Sequence, residues 1–227
     1  MNEFLHYFLL FFIYSIIGWA IETLAIFSKS GKIVNRGFLI GPYCPIYGVG
    51  AIAMILYLSQ YRDNILTVFL LGSIICSIIE YLTSYFMEKI FKARWWDYSH
   101  RRFNLNGRIC LLNTILFGLL GILLVYIINP FISSLITKLP NLLTIIISII
   151  CLIIFTIDTI ISCKVTKKLQ DSFQHIYQEK DNTNEIKESV LKFLSENNKL
   201  FQKRILNSFP SIKIPNLNLI KHHKAKK

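Results

Sequence analysis

The sequence predicts an all-α, polytopic integral membrane protein with about five transmembrane helices plus a cytoplasmic amphipathic helix. Three observations predict it. Hydrophobic residues make up 53% of the chain and the mean hydropathy is +0.49, outside the range of a soluble domain. The apolar residues gather in blocks close to the ~20 residues that cross a hydrocarbon core. Basic and near-neutral connections alternate strictly between those blocks, as the positive-inside rule requires.

The blocks are 4–27, 43–59, 65–87, 110–128 and 141–163. The first follows Met1-Asn2-Glu3, which has no basic run, and is too long for a signal-peptide core, so it is expected to be retained. The second is the shortest and opens with prolines. Lys29, Lys32 and Arg36 follow the first block, while Arg62 and Asp63 after the second cancel. Lys89, Lys92, Arg94, Arg101, Arg102 and Arg108 follow the third, and only Lys138 follows the fourth. More than half of the 25 basic residues come after residue 163. This pattern puts the N-terminus outside and the C-terminus in the cytoplasm.

Past the last block, Leu169, Phe173, Ile176 and Tyr177 keep helical spacing, so the helix is expected to leave the membrane. Asn182 and Glu185 then cap a further helix with Ile186, Val190, Phe193, Leu194, Phe201 and Ile205 on one face. Residues 164–209 thus read as a cytoplasmic helical extension, and 210–227 as a basic disordered tail. The net charge of +12 is a topology signal and a match to anionic inner-leaflet lipids. No nucleic-acid motif accompanies it, so no nucleic acid is expected as a partner.

A pattern occurs twice: an apolar segment with one glutamate, a basic loop, Leu-x-Gly-x-x-Cys, and a second apolar segment. The first copy holds Glu22 and Leu39-Ile40-Gly41-Pro42-Tyr43-Cys44; the second holds Glu80 and Leu105-Asn106-Gly107-Arg108-Ile109-Cys110. Both copies enter from outside, which predicts a parallel repeat about an axis along the membrane normal. Gly18 and Ser15 share a helix face with Glu22, and Gly72, Ser73, Cys76 and Ser77 share one with Glu80. Small residues mark close helix contacts, so both carboxylates should face the bundle interior. Asp158 repeats the arrangement with Ser148 and Ser162.

Glu22, Glu80 and Asp158 are therefore the expected substrate or ion pathway for a cation, proton or amine, since a carboxylate in a span has either a job or a partner. In the structural reading each one pairs with a loop arginine and pins the helices. Asn35 to Gly48 alternates glycine, proline and aromatic residues, as irregular backbone at membrane depth would. The second loop places Trp95, Trp96 and Tyr98 among Arg94, Arg101, Arg102 and Arg108, an interfacial composition. Asn35, Arg36, Arg94, Asp97, His100 and Arg108 are the expected cytoplasmic loop network.

No catalytic residue, cofactor or metal is expected. The chain has no Gly-x-x-x-x-Gly-Lys-Ser/Thr, no His-Glu-x-x-His and no Gly-x-Ser-x-Gly. Its five cysteines include no CxxC pair and read as reduced apolar residues.

Four stretches resemble the bacterial putative ABC-transporter type IV (CmpB-like) permease family. They are Gly18 to Glu22, Asn35 to Gly48, Glu80 to Ser84, and Arg94 to Tyr98 continuing through Phe103 to Cys110. The resemblance implies a permease subunit of unspecified substrate, energised by a separate ATP-binding subunit. Five spans are few for such a subunit, which favours a homodimer. Two other classes stay open. One is a non-transporting scaffold or regulator whose tail helix recruits a cytoplasmic partner. The other is a membrane-embedded enzyme acting on lipid headgroups through Asp97 and His100.

Overall fold

The computed structural model describes residues 2–178, apart from 32, 36, 92 and 93. Helix α1 spans Glu3–Ser30; the Asn2 side chain caps its start and Gly31, at φ 66°, caps its end in the left-handed conformation. Helix α2 is Pro45–Leu58 and α3 is Ile65–Phe91. A two-stranded hairpin follows, β1 Asn104–Leu105 paired antiparallel with β2 Ile109–Cys110. Helix α4, Leu111–Leu123, passes through a π-helical turn, Leu124–Ile128, into α5, Asn129–Thr137. Helix α6 is Asn141–Gln178.

Among the described residues, four helical stretches are long and apolar enough to span a membrane: Glu3–Ser28, Ile65–Phe91, Leu111–Thr137 and Asn141–Lys168. The apolar block at 43–59 contributes a helix of only 14 residues, about 21 Å against a core of ~30 Å. The chain makes up the difference with irregular backbone. The Cys44 N–H donates to the Ser15 carbonyl at 2.8 Å, so residues 31–44 climb back from the end of α1 to its middle before α2 starts. Tyr47 then meets Gly18 and Gly48 meets Phe11 and Ser15, so α2 runs antiparallel to α1. The fourth apolar block also runs past its expected end at 128. Pro130, which cannot donate to the helical ladder, sits at the start of α5 just after the π turn. Arg62 Nη2 donates to the Val125 carbonyl at 2.7 Å inside that turn.

Leu9, Leu10, Tyr14, Met54, Leu58, Val68 and Val125 form the apolar core between α1, α2, α3 and the α4–α5 rod. A second cluster, Phe12, Leu39 and Tyr43 with Phe155 against it, joins α6 and the first loop to α1. Elsewhere α6 buries small polar residues, Thr144, Ser148, Ser162 and Thr166, and exposes isoleucines. Thr144, Ser148 and Thr166 bond back to their own helix, which satisfies their hydroxyls where no water is at hand. Exposed isoleucine and leucine on every long helix is what a lipid-facing surface requires. The expected helix at 185–205 and the tail 210–227 lie outside the described residues, as does Arg36.

Candidate functional site

Glu80 lies 15 residues into α3 and is 8% exposed. Its Oε1 accepts from the Tyr98 hydroxyl at 3.1 Å and, more weakly, from Asn113 Nδ2 at 3.5 Å. Its buried Oε2 accepts no hydrogen bond among the described residues. Glu22 on α1 is half-buried and accepts from the Tyr47 hydroxyl at 2.6 Å. The two carboxylates are near enough to feel each other's charge, and Tyr98 is near Tyr47 as well. Two glutamate–tyrosine pairs, Glu22–Tyr47 and Glu80–Tyr98, therefore lie within electrostatic range of each other. Burial, and then the Glu80 carboxylate, push the Tyr98 phenol above its ordinary value, so it is held as a donor.

Asp158 does not belong to this pair. Its Oδ1 accepts from the Ile40 N–H at 2.9 Å and from Ser162 at 2.9 Å. Its Oδ2 accepts from the Gly41 N–H at 2.7 Å and from the Tyr43 hydroxyl at 2.5 Å. None of these donors is shared with Glu22 or Glu80. Asp158 is a clasp that fixes the first loop to α6 and satisfies two of its backbone amides, which no helix satisfies. Asn35 serves the same loop. Its Oδ1 accepts from Trp19 Nε1 and the Gly37 N–H, and its Nδ2 donates to the Ile40 carbonyl.

Arg94 and Arg108, two of the loop arginines that could have reached the carboxylates, pair elsewhere, while Arg36 lies outside the described residues. Both arginines converge on Glu88, at 3.1 and 2.8 Å. Arg108 also donates to Ser84 and lies over the Tyr81 and Tyr85 rings, which buries its charge among compensating groups. The reason is reach: Glu88 sits at the basic end of α3, whereas Glu80 lies two turns deeper. Asp97 accepts from the Ser99 N–H and hydroxyl and lies 3.8 Å from Arg94, as the anchor of an Asx turn. His100 is exposed on that turn. Among the described residues no group of three His, Cys, Asp or Glu side chains is placed to hold a metal.

Two features escaped the sequence reading. The turn Leu105-Asn106-Gly107-Arg108 closes a β-hairpin, with Asn106 and Gly107 at φ 52° and 66°. Asn-Gly was the signal, since both positions need positive φ. The second is a closer match between the two copies. Phe11, Ser15, Ile16, Ile17, Ile21 and Glu22 align without a gap on Phe69, Ser73, Ile74, Ile75, Ile79 and Glu80. The structure gives the matched positions matched roles. Ser15 bonds the Phe11 carbonyl and Ser73 the Phe69 carbonyl. A Cβ at Gly48 would collide with Ser15 and Phe11, and one at Gly118 with Ser73 and Phe69. Cys44 and Cys110 each occupy the N-cap of the helix that follows. Spaced identities on one face were legible in principle, as a 12-residue self-comparison.

The family model described as putative ABC-transporter type IV matches residues 9–163, more than half of the chain. The chain belongs to that family. The match covers α1 through the membrane-length part of α6, and with it both loops and all three carboxylates. No curated protein and no solved structure matches the chain. The family description and the apolar helices make this an ABC-transporter-related, multi-pass membrane protein.

Proposed function

We propose that this chain is the membrane permease subunit of a transporter for a small cationic solute, energised by a separate ATP-binding subunit. Its polar centre is the Glu22–Glu80 pair. Glu80 carries the reading: a carboxylate nine-tenths buried in a span, with one oxygen held by Tyr98 and Asn113 and the other accepting no bond among the described residues. A purely structural carboxylate is satisfied as Asp158 is, on both oxygens. An under-satisfied one costs stability, and sites that bind ligands carry such costs.

Glu80→Gln separates the two roles. Glutamine keeps an oxygen for Tyr98 and Asn113 and replaces the bond-poor oxygen with an amide. The variant should accumulate in the membrane and melt at or above the wild-type temperature. Sodium, potassium, ammonium and methylammonium are then screened for a rise in melting temperature in detergent. At least one should stabilise the wild type and not Glu80→Gln. A melting temperature lowered by several degrees in Glu80→Gln, with no cation effect on the wild type, would sink the proposal. A mild-detergent pull-down of the tagged chain tests the partner: a stoichiometric nucleotide-binding subunit is expected. A scaffold role gains one observation, the 38 residues of α6. At about 57 Å they outrun a ~30 Å core and offer a partner a protruding helix.

A further inference from the structure

The hairpin of the second loop carries an apolar surface that is exposed among the described residues. Phe103 is 80% exposed and Leu105 is 55% exposed. Phe103 also has φ 53°, a conformation that a bulky side chain rarely takes, and it directs the ring away from the loop. Two contacts place the hairpin in depth. Asn106 Nδ2 donates to the Tyr81 hydroxyl at 3.0 Å, ten residues before the last residue of α3, or about 15 Å along its axis. The Leu111 N–H donates to the Phe103 carbonyl at 3.0 Å, which sets Phe103 beside the first residue of α4.

From that position the backbone bond leads into α4, whose first residues are also exposed and apolar. Leu111, Leu112 and Ile115 of α4 are exposed, and these lie in a membrane-length stretch. A face of that kind meets lipid, so a phenyl ring continuous with it meets lipid too. Arg101 and Arg102 precede the ring and are both exposed. The acidic residues of this region are engaged elsewhere, Glu88 with Arg94 and Arg108, and Asp97 with Ser99 and Arg94. Two guanidinium groups at the edge of an apolar strip fit phosphate in the headgroup layer, where Arg bonds it bidentately.

We propose that this hairpin is a binding site for an anionic phospholipid of the basic-side leaflet. Arg101 and Arg102 hold the phosphate while Phe103 and Leu105 insert beside the acyl chains. It is independent of the transport reading, because it involves neither Glu22 nor Glu80.

The full chain is tested in two ways. In vesicles of phosphatidylcholine and phosphatidylglycerol, spin-labelled lipids report the relative affinity of the protein surface for each. Basic residues near a leaflet favour anionic lipid by about five-fold each, so Arg101→Gln with Arg102→Gln should lower the phosphatidylglycerol preference by up to about 25-fold. Lys164→Gln with Lys167→Gln, the same charge removed from α6, should lower it much less. Equal loss in both pairs, or no loss in the arginine pair, overturns the site in favour of diffuse charge or none. Separately, a photoreactive benzophenone at position 103 in native membranes should form adducts with phosphatidylglycerol. Adducts with a protein, or no lipid adduct, would show that the strip belongs to a partner or to water.

Discussion

Removing the Asp158 carboxylate should release the loop between α1 and α2 while leaving the helical bundle in place. Four donors end on this one side chain: the Ile40 and Gly41 amides, the Tyr43 hydroxyl and the Ser162 hydroxyl. Side-chain hydrogen bonds in membrane proteins average about 0.6 kcal/mol and reach about 1.7, which gives roughly 2–7 kcal/mol for four. Loss of one partner from a buried network costs about 3–5 kcal/mol, and that range is the better guide because the four act as a unit. Asp158→Ala should therefore raise the open population of the loop by about 100-fold or more. Asp158→Asn keeps one acceptor oxygen and should cost less, on the order of 10-fold. Cys44 is the reporter, being 8% exposed with its N–H bonded to Ser15 at the top of the loop. Alkylation of Cys44, in a background where the other four cysteines are serine, reads the opening directly. A parallel background keeping only Cys76, which sits in the α2–α3–α4 core, reads global loosening. An unchanged Cys44 rate in a well-accumulated Asp158→Ala protein would refute the clasp. An equal rise at Cys44 and Cys76 would mean that Asp158 supports the whole bundle and has no local role.

Two further outcomes follow from the packing and the charges. Gly48→Val and Gly118→Val put branched side chains where a single Cβ already meets Ser15 and Phe11, or Ser73 and Phe69. Each should cost about 1–3 kcal/mol and lower the melting temperature in detergent, and an unchanged melting temperature would contradict the close helix contact. The second outcome concerns alkaline pH. The Tyr98 phenol is raised above its ordinary value of 10.0 by burial and by Glu80, so the folded state holds its proton longer than the unfolded state. The stability this contributes is complete below pH 10 and is lost as pH rises above it. Tyr98→Phe should flatten that alkaline loss in a melting series from pH 8 to 11, and an unaltered slope would show that Tyr98 is solvated.

The spans were legible because lipid demands them. A chain with helix-length apolar blocks leaves its backbone no other solution, and the long helices appeared where the blocks were. The helix ends were less legible. The fourth block was expected to end at 128, yet the helix runs on to Thr137 through a π turn, with Arg62 from another connection bonded to a carbonyl inside it. The three carboxylates were legible as buried polar residues from their small-residue faces, but their partners were not. Position along a helix cannot say that Asp158 meets amides from residues 40 and 41, more than a hundred residues away.

Composition, charge order and periodicity by themselves determined a polytopic helical membrane protein, and they pointed to a repeat and to candidate polar residues. Those properties follow from local transfer energies, which each residue carries with it. The tertiary structure decided that the second apolar block is a short helix of 14 residues, entered from an irregular loop that is bonded to the middle of α1. It also decided that Glu88 takes the arginines, that Asp158 is saturated, and that Glu80 is left with an oxygen to spare. These depend on which groups meet across the bundle, and for a buried carboxylate the neighbours outweigh its place in the chain.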